Sequence, residues 1–373
     1  MNIMKAHNKK IHAVLLAGLL PFFSAGAQAL QEMSDHDLAS NSGQGLIVAD
    51  KLPGVASSNH TFYRMMLNAE VGLNNTIDKL QLGCGGFNDA VVASACDIDI
   101  DYLTLMGRGG GQPGAPGAGA PATSEARLIR PYIELAIKND DDPTRRQIIG
   151  FKLGAGRVDG YMGTGRYTAP GSPGASASCT NATSGSGAFY CHQGINRLSG
   201  YQNINMIGEA FGCFGVFGCT PAANPNNQYR VATFSGNVQL WGTRMNRIQA
   251  GLTATTDPDA TLGLSLNAPS NVNQALRFVH GLLLDENDPR FAADDFFISF
   301  QREAVRYPTY NKTNTHSNFA NPGWWLNIPA VTLTGLKAYG VAASLGSLGG
   351  ITLTDPDIGQ RPPDNCLGGL RFC

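Results

Sequence analysis

The chain has 373 residues, with 46 Gly, 20 Pro and only 15% charged side chains, well under the usual quarter. Lys and Arg (27) nearly balance Asp and Glu (28), which argues against a nucleic-acid binder and against an acidic disordered tail. A hydrophobic share of 43% is enough for one or two cores, and no window reaches the ~18 apolar residues of a membrane-spanning helix.

Lys5, Lys9 and Lys10 precede an apolar run from Ala13 to Phe23 and then Ala27-Gln28-Ala29. A positive start, a short apolar stretch and a small-residue cleavage motif predict a signal peptide over residues 1–29. Its removal leaves a mildly acidic chain with 24 basic and 28 acidic residues. No Cys lies near the cleavage site, which argues against a lipid anchor.

Residues 30–60 form the next segment. Ser34 and Asp37 make a variant capping box, Met33 and Leu38 share one side, and Gly43 stops the turn, so a single short helical turn and a linker are predicted.

From Thr61 onward the pattern is β. Thr76 to Gly83 alternates, as does Cys96 to Leu105, and the two share I-D-x-L-x-L from Ile77 and from Ile100. The pair reads equally as two stacked rungs of a repeat or as chance similarity between two amphipathic strands. Arg127 to Lys138 is a strand, with Ile129, Ile133, Leu135 and Ile137 on one side and Arg130, Tyr132, Glu134 and Lys138 on the other. Asp140 to Pro143 turns the chain, and Gln147 to Leu153 returns as a hairpin partner. Alternation recurs at Tyr229–Phe234, Val238–Thr243, Thr261–Leu266, Leu276–Leu284, Phe296–Arg302 and Val331–Leu336. Asp-Pro turns recur at Asp142, Asp257, Asp288 and Asp355, where Asp opens the turn and Pro fixes φ. Stretches 107–123, 169–187 and 220–227 are Gly/Pro-rich loops. The fold class is therefore all-β: an elongated β-sandwich or a stacked, solenoid-like sheet over residues 61–373, with a division near 169–227.

Eight cysteines fall in the mature part, in four local couples. An exported chain meets an oxidising environment, and the simplest pairing is Cys84–Cys96, Cys179–Cys191, Cys213–Cys219 and Cys366–Cys373. A zinc site needs closer ligand spacing, which only Cys191-His192 approaches.

Asp97, Asp99 and Asp101 form D-x-D-x-D, a spacing that suits calcium. The Ca-loop pattern then wants Gly and Glu where Tyr102 and Arg108 stand, and alternation with Ile98 and Ile100 equally describes a solvated strand face. Asp285, Glu286, Asp288, Asp294 and Asp295 read as a turn between strands. No nucleophile elbow, zinc-protease motif or phosphate loop occurs, and His280 alternates with Phe278 and Leu282 as a core or half-buried residue. The expectation is no catalytic residue and no cofactor, calcium aside. Trp324 and Trp325 offer a sugar- or lipid-facing ring, with core packing of one ring the plainer reading. Phe214 and Phe217 lie in an apolar loop that becomes a contact patch if exposed.

Three stretches carry a family likeness: Leu30 to Gln44; Leu80-Gln-Leu-Gly-Cys-Gly-Gly86 with Cys96-Asp-Ile-Asp-Ile-Asp101; and Arg130-Pro-Tyr-Ile-Glu-Leu-Ala-Ile-Lys-Asn-Asp140. Leu198-Ser-Gly-Tyr201 adds a fourth. Together they resemble pilus-system (Fil-type) exported surface proteins of Gram-negative gammaproteobacteria, over roughly residues 1–200. The Gly107–Thr123 insertion and the Cys-rich 179–219 stretch depart from that pattern. The resemblance implies an exported location and a structural or surface role; with the export signal, the cysteine couples, the low charge and the missing catalytic motifs, the expectation is a non-enzymatic envelope or surface protein in pilus-linked adhesion or assembly, at the periplasm, outer membrane or cell surface. Its expected partners are other envelope or pilus proteins, an apolar ligand or a glycan, and no nucleic acid. Two alternatives stand beside it: a periplasmic carrier of an apolar ligand, suggested by the apolar runs Leu276–Leu284 and Phe296–Phe300, and an outer-membrane β-barrel.

Overall fold

A computed structural model describes residues 45–55, 58–108, 124–165, 194–213, 229–256, 267–285, 295–310, 318–342, 352–354 and 365. The signal segment, the helical turn near Ser34, the loops 169–187 and 220–227, and the Thr261–Leu266 run lie outside these residues.

Seventeen strands follow in chain order: β1 (Ile47–Pro53), β2 (His60–Leu67), β3 (Glu70–Leu73), β4 (Asn75–Leu82), β5 (Ile98–Met106), β6 (Ala126–Lys138), β7 (Gln147–Gly163), β8 (Ile195–Cys213), β9 (Tyr229–Met245), β10 (Arg247–Thr256), β11 (Asn267–Ala275), β12 (Gly281–Leu284), β13 (Phe296–Gln301), β14 (Val305–Tyr307), β15 (Asn318–Ala320), β16 (Gly323–Ala342) and β17 (Thr352–Thr354). The all-β expectation holds. Strand structure starts earlier than Thr61, at Ile47. The Leu276–Leu284 run is split, because Leu276–Phe278 forms a 3-10 turn before β12. The runs Tyr229–Phe234 and Val238–Thr243 fuse into the single strand β9.

Fifteen strands join one sheet, and β14 and β15 pair separately. Part of that sheet closes on itself. One edge of β5 pairs with β8 (Ile98 opposite Leu198) and then with β7 (Thr104 opposite Gly163). β7 pairs with β13 (Leu153 opposite Ile298), and β13 with β16 (Ile298 opposite Leu326). β16 runs parallel to β8 (Leu326 opposite Gly200), which completes the circuit. Inside lies an apolar core of Ile98, Ile100, Val158, Leu198, Ile204, Leu282, Ile328 and Leu333, each at most 1% exposed. Closure removes free edges and lets one core be lined from every side.

The I-D-x-L-x-L copies are antiparallel partners within one hairpin. Leu80 faces Ile100 and Leu82 faces Ile98 across β4 and β5, whereas stacked rungs would run parallel.

β1, β2 and β6 extend from β7 as a wing. The β6–β7 hairpin is as expected, with Lys138 opposite Gln147. In its turn the Asp142 carboxylate accepts from the Thr144 amide and hydroxyl and from Arg145. The alternation holds through the middle of β6, but there the polar residues face inward. Tyr132 and Glu134 are buried, whereas Ile133 is 49% and Leu135 36% exposed. The reason lies in the row Arg64–Glu134–Lys152, aligned across β2, β6 and β7. Arg64 Nε donates to Glu134 at 2.6 Å, Lys152 Nζ lies 2.6 Å from Asp295, and Tyr132 Oη donates to Asp295 at 2.9 Å. Arg64 also donates to the carbonyls of Pro308, Thr309 and Tyr310. Two cations and two carboxylates thus clasp segment 308–310 onto the sheet, beside a second core of Phe62, Phe297, Val305, Tyr307 and Trp325. Burial pushes the Glu134 carboxyl up despite Lys152 and Arg64, and pushes the Tyr132 phenol well up. Asp295, expected in a turn between strands, is fully buried, while Asp285 pairs with Arg108 at 2.6 Å. Residues 286–294 lie outside the description.

Candidate functional site

The loop between β4 and β5 closes through Cys84–Cys96, with sulfurs 2.00 Å apart, as the local pairing predicts. The side chains of Cys179, Cys191, Cys213, Cys219, Cys366 and Cys373 lie outside the described residues.

Arg244, at the end of β9, organises this loop. Its guanidinium donates to Asp97 (2.9 Å), to Asp89 (3.0 Å), and to the carbonyls of Val92 and Gly83. Asp97 also accepts from Asn88 at 2.9 Å and from the Trp324 amide at 2.9 Å. Gly83 and Gly323 both have positive φ, and a Cβ on either would run into the Asp97 carboxylate. Asp97 is therefore a buried structural anchor and not part of a solvated strand face. Asp99 and Asp101 lie on the half-buried face of the hairpin, and both contact Lys79, at 2.6 and 2.7 Å. Among the described residues no group of three or more His, Cys, Asp or Glu is arranged to hold a metal ion.

A polar cleft of about 490 Å³ opens beside the disulfide, between the β4–β5 hairpin, β8, the β9–β10 connection and the end of β11. Strand register assembles it. Asp99 faces Arg197, and Leu198 faces Met245. Arg247 faces Ala275, and the Leu276 amide donates to the Asn246 carbonyl at 2.8 Å. Arg197, Arg247 and Arg277 all line the cleft, with Asn196, Asn246, Gln81 and Ser94 between them.

Three guanidiniums meet one lining carboxylate, Asp99, which is already occupied. Partial burial alone would raise the Asp99 carboxyl, but hydrogen bonds from Lys79, Asn196 and Gln81 bring it below the usual range. Each arginine has a neutral contact on the cleft wall. Arg247 donates to the side chain and carbonyl of Asn273, both at 2.8 Å. Arg197 Nη1 donates to the Asn196 carbonyl at 3.0 Å, while its Nε is buried with no hydrogen-bond partner among the described residues. Arg277 sits over the Phe278 ring, 5.2 Å from its centre.

The two adjacent tryptophans form no platform. Trp325 is fully buried and Trp324 packs edge-on to Phe151 and tilted against Phe300. The exposed indole is Trp241, at 56%, beside Phe319. Phe214 and Phe217 lie outside the described residues. His280 is buried with Nδ1 3.0 Å from the Thr164 carbonyl, in line with a core histidine.

The cleft arginines escape sequence reading because they stand far apart, on β8, at the start of β10 and in the 3-10 turn after β11, and form no motif.

No family model, no curated protein and no solved structure matches this chain.

Proposed function

We propose that the chain is a non-enzymatic exported protein of the cell envelope or surface, working by contact in pilus-linked adhesion or assembly, with the arginine-lined cleft as its recognition site. The observation that carries this reading is the disulfide-stapled loop on the cleft rim. Cys96, one of its sulfurs, lines the cleft, and the Arg244–Asp97 anchor lies directly behind it. Such a rim holds its shape without a bound partner, and preorganisation of that kind lowers the cost of association. A disulfide is compatible with export, and the N-terminal Lys and apolar pattern supports a secretory route. The parallel pairing of β16 with β8 weighs against an outer-membrane barrel, whose strands run antiparallel. The polar lining of the cleft weighs against an apolar cargo there.

Fractionation of the source cells, combined with protease treatment of intact cells, tests this reading. Cleavage by external protease together with recovery in the outer-membrane or surface fraction is the expected outcome. A protease-resistant chain found wholly in the soluble periplasm would overturn surface display.

A further inference from the structure

We infer that the outward face of β8 and β9 binds a neutral oligosaccharide, one ring stacked on the Trp241 indole and the hydroxyls of the others met by Asn205, Asn237 and Gln239. This goes beyond the arginine-lined cleft, shares no residue with it, and does not rest on where the chain resides.

The side chains come first. Along β9, Phe234, Val238 and Leu240 are buried in the core of the circuit, whereas Ser235, Asn237, Gln239 and Trp241 point the other way and are exposed. β8 continues this face, with Asn203 opposite Gln239, Asn205 opposite Asn237 and Ile207 opposite Ser235. None of these positions carries a charge. Asn is disfavoured in strands, so sheet formation does not account for three asparagines and a glutamine side by side. Asn205, Ser235, Asn237 and Gln239 have no side-chain hydrogen bond among the described residues. Their donors and acceptors are left to solvent or to a ligand.

Trp241 is the second, independent sign. It is the exposed indole of the molecule's described face, yet its ring is held in place, 5.9 Å from Phe319 and 6.3 Å from Trp325 between centres. A ring fixed by its neighbours is preorganised for stacking. Exposed Ile207 marks the other end of the row. From Ser235 to Trp241 the row runs about 20 Å at the usual rise of an antiparallel strand, long enough for several linked pyranose rings.

The chemistry selects the class. A pyranose offers a C–H face that packs on an aromatic ring, and hydroxyls that donate and accept as the amides do. An apolar ligand would leave the amides that it covers without partners. An anion would find no cation in the row.

The test is isothermal titration of the purified chain, disulfide intact, with cellohexaose, maltohexaose and chitohexaose, and with hexaglycine as the peptide counterpart. The expected result is saturable binding of at least one hexasaccharide, with a change in tryptophan fluorescence and no weakening by added salt, since no ion pair forms. Trp241→Ala should weaken that binding at least tenfold and remove the fluorescence change. Asn237→Ala combined with Gln239→Ala should weaken it about tenfold, through two lost hydrogen bonds. Arg145→Gln, in the β6–β7 turn, should leave it unchanged. Circular dichroism confirms that each variant is folded, and the Asn237/Gln239 pair carries the test if Trp241→Ala is not. Three results would each overturn the inference: no hexasaccharide bound, hexaglycine bound as tightly, or full affinity kept by a folded variant of Trp241 or of the amide pair. Failure here with surface exposure confirmed on cells would remove the ligand and leave the location standing.

Discussion

The closed circuit and the wing are parts of one sheet, yet the wing buries charged side chains beside Phe62 and Ala136 where the circuit buries aliphatic ones. In the circuit, Ile98, Leu198, Ile328 and Leu333 face inward, as a period-two strand would lead one to expect. In the wing, Arg64, Glu134 and Lys152 face inward and are each at most 2% exposed, while Met65, Ile133 and Leu153 are 48–55% exposed on the other side. Met65 faces Ile133, and Ile133 faces Leu153, so the outward apolar side chains form a continuous row across three strands. The difference teaches that alternation fixes which residues share a face, and that the covering segment decides which face is inside. Over the wing that segment is 308–310, whose carbonyls require donors. Arg64 and Lys152 supply them, and Glu134 and Asp295 neutralise the cations.

The sharpest way to break this contrast is Glu134→Ala. It leaves Arg64 buried opposite no carboxylate, at a cost of about 3–5 kcal/mol, read by chemical denaturation. A loss under about 1 kcal/mol would mean that water reaches the clasp. In the circuit, Ile98→Ala should cost about 2–5 kcal/mol through lost burial and a cavity. Opening the Cys84–Cys96 loop, 12 residues in separation, by replacing both cysteines with Ser should cost roughly 3 kcal/mol. Hydrogen exchange should place the loosening in residues 83–96. On the outward face, Ile133→Thr should change stability by no more than about 0.5 kcal/mol, which would confirm that this apolar row is not a core.

The smallest effect concerns acid. The Asp142 carboxyl is lowered to about 2, chiefly by the Thr144 hydroxyl and then by Arg145. A carboxyl lowered on folding stabilises above its ordinary value, and that contribution is lost as pH falls through the folded one. The wild-type chain should therefore lose this turn's contribution between about pH 4 and pH 2, while Asp142→Asn should show a flatter acid limb in a pH series of unfolding midpoints.

Much of the fold is legible from pattern alone. The β6–β7 hairpin around Asp142, the β4 and β5 strands and the Cys84–Cys96 bond follow from alternation, turn chemistry and Cys spacing. The direction of pairing is not legible, because two copies of I-D-x-L-x-L serve a hairpin as well as a stack. The role of Asp97 is hidden for a similar reason. Its partners Arg244 and Trp324 are distant in sequence, and only closure of the circuit brings them to it. The cleft lies wholly in this second category, since strand register and not spacing gathers Arg197, Arg247 and Arg277.

The sidedness of the wing is tested most directly by hydroxyl-radical footprinting of the folded chain, read at methionines by mass spectrometry. Met65 is 55% exposed, whereas Met162 is 4% and Met206 is 0%. Rapid oxidation of Met65 with Met162 and Met206 protected is the predicted result. Protection of Met65 at the level of Met206 would place the apolar face of the wing inside and contradict the ionic clasp.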